Sequence, residues 1–124
     1  MIPKIIHLCW FGGKPLPPLA KECVASWRKF LPGYRIVQWS EERYIDEARS
    51  HTLADEVRVF DVDMIPYTAE AYRLGKYAFV SDYARFWIIY HFGGVYFDTD
   101  VEVVRPMDPI IVKGNFMGFE VDPD

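Results

Sequence analysis

Two cysteines and three histidines in 124 residues, none at paired metal-ligand spacing, leave no basis for a disulfide framework, a zinc site or a thiol redox pair. Cys9 and Cys23 read as buried thiols, His7 as a satisfied core histidine, and a reducing cytoplasm as the default compartment. Basic residues are also in the minority. Lys+Arg number 14 against 18 Asp+Glu, a formal charge of −4 with no basic run, which argues against nonspecific nucleic-acid binding. No apolar run reaches the ~20 residues that cross a bilayer, and the longest, 77–92, is broken by Asp82 and Arg85. No transmembrane helix and no signal segment are expected. Internal repeats and low-complexity tracts are lacking too.

Aromatic residues, in contrast, are abundant: they make up 17% of the chain, enough for a core with rings to spare for a ligand. The length suits a single domain, 1–124, able to bury roughly two-thirds of its unfolded surface. Ile5 to Trp10 reads as a buried strand opening into the glycine- and proline-rich loop 11–18. Pro17 and Pro18 suit the first turn of a helix that Leu19 to Leu31 continues, with Val24, Trp27 and Leu31 at helical spacing. Pro32-Gly33 stops it. Tyr34 to Trp39 alternates as a second strand, and Ser40-Glu41-Glu42 has the composition of a capped helix start. Strand, helix, strand, helix predicts an α/β domain with a parallel sheet and helices on its faces.

The stretch 51–64 has no clear period and reads as irregular, followed by a short polar helix from Thr68 to Lys76. Tyr77 to Phe92 contains no glycine or proline and carries apolar side chains on nearly every face, the pattern of a helix packed on all sides. Gly93 and Gly94 follow where a left-handed stop favours a residue without a Cβ. Val95, Tyr96 and Phe97 are strand formers that deliver Asp98 and Asp100 to a strand end, where open α/β sheets bind ligands. Val101 to Val104 and Phe116 to Glu120 read as further strands with a turn at 106–109. No closing helix is evident, and the chain is expected to be the front part of a longer one.

The tripeptide Asp-x-Asp is weak evidence alone, since it occurs three times, at 61–63, 98–100 and 122–124. Aspartates commonly end strands because they bond neighbouring backbone amides. Only Asp98-Thr99-Asp100 follows a helix, a glycine pair and an apolar strand. Asp82 and Arg85 add weight, lying three apart on one helix face. A buried ion pair is at best neutral against apolar packing, so such a pair either staples the helix to the sheet or serves a ligand. Trp10, at the mouth of the first strand, reads as core or as a stacking platform.

These residues resemble the glycosyltransferases whose sugar-binding region carries the Asp-x-Asp motif, a family that includes initiating mannosyltransferases and capsular-polysaccharide transferases. The resemblance is carried by 2–7 with Trp10 and Gly12-Gly13, by Ser26-Trp27, by 78–85 and by 93–100. The glucosylating clostridial toxins are similar over the same blocks at greater distance. The resemblance implies a GT-A (nucleotide-diphospho-sugar transferase, Rossmann-like) fold, here its N-terminal donor-binding part. It further implies a UDP- or GDP-hexose donor, a Mn²⁺ or Mg²⁺ cofactor, retention of configuration and a saccharide or lipid-linked acceptor in surface or capsular polysaccharide synthesis. Trp10 would stack on the base; Asp82 and Arg85 would contact sugar and diphosphate; Tyr96 would sit beside the phosphates. Asp98 would reach ribose, sugar or metal, and Asp100 would be the more direct metal ligand. Asp82, Arg85, Asp98 and Asp100 are thus the implied catalytic set.

Family members continue well beyond this length, so the isolated chain is expected to hold the donor determinants and to transfer sugar poorly or not at all. A place at the inner face of the membrane is open to it. Two alternatives stand beside this reading. One is a non-catalytic nucleotide-sugar-binding or interaction domain, self-association included. The other, ranked lower, is a phosphatase of the haloacid dehalogenase type with Asp98 as nucleophile; its motif normally ends the first strand of the fold.

Overall fold

In the computed structural model, residues 3–104 and strand residues 116–118 are described. The sheet has five strands in the order β3-β2-β1-β4-β5: β1 (Ile5–Cys9), β2 (Arg35–Ser40), β3 (Glu56–Val59), β4 (Val95–Phe97) and β5 (Phe116–Gly118). The first four run parallel and β5 pairs antiparallel with β4, so the α/β expectation holds. Helix α1 (Pro18–Phe30) packs Cys23, Val24 and Trp27 with Ile6, Leu8, Ile36 and Phe97 on one face of the sheet. On the other face Ala71 of α3 (Pro66–Arg73) and Val80, Ala84 and Ile88 of α4 (Tyr77–Phe92) meet Val37, Trp39 and Tyr96. The α2 helix (Ile45–His51) connects β2 to β3.

Each element follows from local chemistry. Proline begins α1 and α3, where the missing N–H would have lacked a partner anyway, and Arg28 and Lys29 sit in the last turn of α1, where the helix dipole favours cations. The stop after α4 is where the glycines place it. Gly93 and Gly94 have φ of 67° and 93°, and a Cβ on Gly94 would lie 2.7 Å from the Ile5 carbonyl oxygen. His7 joins this stop to the sheet. Trp39 Nε1–H donates to His7 Nδ1 at 3.0 Å, which leaves Nε2–H to donate to the Gly93 carbonyl at 3.0 Å. Burial lowers its pKa to about 4, so the ring is neutral and structural.

Five expectations change. Helix α4 is not packed on all sides: Val80, Ala84 and Ile88 form one buried stripe, while Phe79, Phe86 and Tyr90 on the opposite face are 46%, 57% and 84% exposed. The helix lies on a sheet, and a sheet covers only one side of it. The 51–64 stretch contains β3, a four-residue edge strand whose valines alternate with Glu56 and Arg58; Glu56 is ion-paired to Arg35 and Arg58. Four residues are too few to show a period. Strand β2 does not alternate, because helices cover both faces and every residue after Arg35 is buried. Ser40 is no helix cap: it ends β2 and its hydroxyl donates to the Trp10 carbonyl at 2.7 Å, so the next helix opens with a 3₁₀ turn at Glu42–Tyr44.

Finally, 101–104 forms no strand. Val101 and Val103 are buried, but their backbone polar groups are taken by α1 side chains: Trp27 Nε1–H donates to the Val101 carbonyl at 2.7 Å, and the Val103 N–H to Ser26 Oγ at 3.0 Å. The predicted strand at 116–120 is observed over 116–118, and the 106–109 turn lies outside the described residues.

Candidate functional site

Strand β1 has β2 on one side and β4 on the other, so the chain leaving β1 and the chain leaving β4 part in opposite directions. A crevice opens at the carboxyl ends of strands at such a switch point. Here it is a cavity of about 600 Å³. The end of β1 supplies Cys9, Trp10, Phe11, Gly12 and Lys14; α4 supplies Tyr77, Ala78, Ser81, Asp82 and Arg85; β4 and its exit supply Tyr96, Asp98, Thr99 and Asp100. All six side chains singled out from the sequence, Trp10, Asp82, Arg85, Tyr96, Asp98 and Asp100, line this one space.

The triplet at 61–63 does not. Asp61 and Asp63 form a local turn in which Asp61 Oδ1 accepts the Asp63 N–H at 3.0 Å, and 122–124 lies outside the described residues. Tyr77, Ala78 and Ser81 are lining residues that the sequence reading did not select. Their signal was available, since 78, 81, 82 and 85 fall on one helical face.

Electrostatics in the cavity is set by carboxylates crowded round Arg85. Burial raises the pKa of Asp98; Arg85 opposes that shift, Asp100 and Asp82 reinforce it, and the Tyr96 hydroxyl bonded to Asp98 opposes it. Beneath them Tyr96 and Cys9 are hydrogen-bonded to each other and kept neutral: burial pushes the Cys9 thiol up to about 12 and the Tyr96 phenol well above its usual range. Asp82 Oδ1 lies 3.6 Å from Arg85 Nη2, but the Asp82 side chain is 51% exposed and Arg85 23%. The expected buried pair is therefore a cavity-rim pair, because α4 rests on the sheet by one stripe and Asp82 projects from its shoulder. At that exposure the contact is worth little as a staple. Arg85 Nε–H is buried and has no hydrogen-bond partner among the described residues, so the guanidinium keeps a donor to spare.

Asp98 and Asp100 offer only oxygen ligands, and among the described residues no three His, Cys, Asp or Glu side chains gather into a ready-made metal cage. That suits a hard cation which takes one or two protein carboxylates and completes its shell from phosphates and water. The acid surplus round Asp98 suits a cation as well.

Comparison with known proteins agrees with the geometry. Residues 17–117 match the family model described as the glycosyltransferase sugar-binding region containing DXD motif, a span that includes every singled-out residue except Trp10. Inositol phosphoceramide mannosyltransferase 1 of Schizosaccharomyces pombe is 28% identical over 98% of this chain and 35% of its own. Mannosyl phosphorylinositol ceramide synthase of Saccharomyces cerevisiae is 26% identical over 94% of this chain and 27% of its own. The chain thus spans about a third of the length of the curated relatives it matches. Among solved structures, the PaToxG glycosyltransferase superposes with a TM-score of 0.60 at 20% identity, covering 85% of this chain and 44% of that one. The fold is accordingly the front part of a GT-A-like domain. The phosphatase alternative is left without support.

Proposed function

Since the chain belongs to the glycosyltransferases with a DXD-containing sugar-binding region, we propose that it forms the nucleotide-sugar side of a metal-dependent, retaining hexosyl transfer. The observation that carries this reading is the convergence of Trp10, Asp82, Arg85, Tyr96, Asp98 and Asp100 on one cavity at the sheet's switch point. The donor is a UDP- or GDP-hexose, with mannose favoured by the names of the relatives. Those same names favour a lipid-linked acceptor; a place at the cytoplasmic face of a membrane and a role in surface-glycan assembly belong to the proposal and rest on the family resemblance alone.

Trp10, half-buried at the end of β1, offers a ring face to the base. Arg85, whose guanidinium lines the cavity, donates to the diphosphate, whose charge grows as the glycosidic bond breaks. Asp82, at the exposed rim, accepts from sugar hydroxyls. Tyr96 holds Asp98 from below through its hydroxyl and excludes water from that side. Asp100 and Asp98 would hold a Mn²⁺ or Mg²⁺ ion, which supplies Lewis-acid stabilisation of the departing nucleoside diphosphate.

Calorimetric titration of UDP- and GDP-hexoses, with and without Mn²⁺, tests the reading. One of them should bind in a Mn²⁺-dependent way, and Asp100→Asn should weaken that binding by about tenfold or more, as expected for loss of a charged contact. Metal-independent binding indifferent to Asp100→Asn would sink it.

A further inference from the structure

The loop that carries Trp10 is held from outside the cavity by a group with no place in the donor chemistry. Glu41, just past the end of β2, is 2% exposed, and its Oε2 accepts the Gly12 N–H at 2.8 Å. Its Oε1 has no hydrogen-bond partner among the described residues. Tyr72 of α3 lies alongside with its hydroxyl bonded to the carboxylate, the phenol pushed upward by burial, by that bond and by the carboxylate's charge. A nearly buried carboxylate with one oxygen left unpartnered is costly, and an apolar residue would sit there more cheaply. What it provides is an acceptor where the sheet ladder has ended: at φ of 103° the Gly12 N–H has left the strand.

The rest of the loop is fixed in the same way. Ser40 Oγ donates to the Trp10 carbonyl at 2.7 Å, and Trp10 Nε1–H donates to the Lys14 carbonyl at 2.6 Å. The Tyr77 and Tyr44 rings lie so close over Gly12 and Gly13 that a Cβ on either would fall 2.7 Å from a ring carbon. Each of these contacts restrains the turn 10–14, but only Glu41 reaches its middle with a charge.

We infer that Glu41 is a positioning residue, which pins Gly12 so that the Trp10 ring stands ready to receive the base of a nucleoside diphosphate. The inference rests on the donor-site reading above. A platform ordered in advance spares the ligand the ordering entropy of the loop, so losing the pin should weaken the nucleoside end of binding and leave the phosphate end alone.

The test uses the full chain with Glu41→Ala and Glu41→Gln, and reads two quantities. Amide hydrogen exchange reports the pin directly: Gly12 should exchange about tenfold faster or more in E41A and stay protected in E41Q, whose amide oxygen accepts the same N–H. Calorimetry with UDP and GDP against inorganic pyrophosphate, all with Mn²⁺, reports its consequence. E41A should lose about tenfold in affinity for the nucleotide the parent binds and nothing for pyrophosphate, while E41Q stays within about threefold of the parent. Where E41A does not fold, E41Q decides, because it keeps volume and acceptor; a tenfold loss there overturns the inference. So does E41A with a protected Gly12, or with unprotected Gly12 and undiminished nucleotide affinity. A parent chain that binds neither nucleotide refutes the donor-site reading and the inference with it, whatever Gly12 does.

Discussion

Arg85 lines the cavity together with Asp82, Asp98 and Asp100, and its buried Nε–H has no acceptor among the described residues. A guanidinium placed so has two uses: it restrains the carboxylates' mutual repulsion, and it presents a planar set of donors to a phosphate. A lysine at 85 would keep the charge and lose the fork. Arg85→Lys should therefore leave the thermal midpoint nearly unchanged and lower diphosphate affinity by about tenfold, the cost of one charged hydrogen bond, as checked by calorimetry with nucleoside diphosphate and Mn²⁺. Asp82 and Arg85 were legible in the sequence as charges on an apolar helix. Their exposure was not, because it depends on which flank of α4 overhangs the cavity.

Among the elements, α4 is the one whose environment differs most from its composition. Its run of apolar residues is nearly continuous, yet the stripe Val80, Ala84 and Ile88 alone is buried, while Phe86 and Tyr90 stand in solvent. Truncations should separate the two sides of the helix. Ile88→Ala should cost about 3 kcal/mol by removing buried volume from the face that meets Val37 and Trp39. Phe86→Ala should stay within about 1 kcal/mol, since more than half of that residue stays in water on folding. Urea unfolding of both variants checks the contrast; equal losses would mean that Phe86 is covered. The segment 101–104 makes the same point from the other direction: its alternation of valines is real, but Trp27 and Ser26 of α1 bind it before any strand can.

For the whole molecule, His7 is the joint between β1, β2 and the stop of α4, and it works only as a neutral ring. Its pKa falls from 6.5 to about 4 on folding because burial disfavours the cation. Above pH 6.5 the ring is neutral in both states and its contribution is complete. As the pH drops from 6.5 towards 4 the unfolded chain takes the proton first, and stability declines by roughly 3 kcal/mol over that window. Equilibrium unfolding across this range should show the decline, and His7→Phe, though less stable at every pH, should flatten it.

Sequence alone determined what acts within a few residues: helices from the 3.6 period, stops from Pro32-Gly33 and Gly93-Gly94, and a strand of Val95 to Phe97 that ends on Asp98. Those are matters of local dihedral preference and side-chain spacing, which the order of residues states directly. Tertiary structure alone decided that β1 and β4 are neighbours, that a four-residue β3 finds an edge, and that Glu41 meets Gly12 twenty-nine positions away. Each of these depends on long-range packing of helices against a shared sheet, where the partner is chosen by the shape of the whole and no local pattern names it.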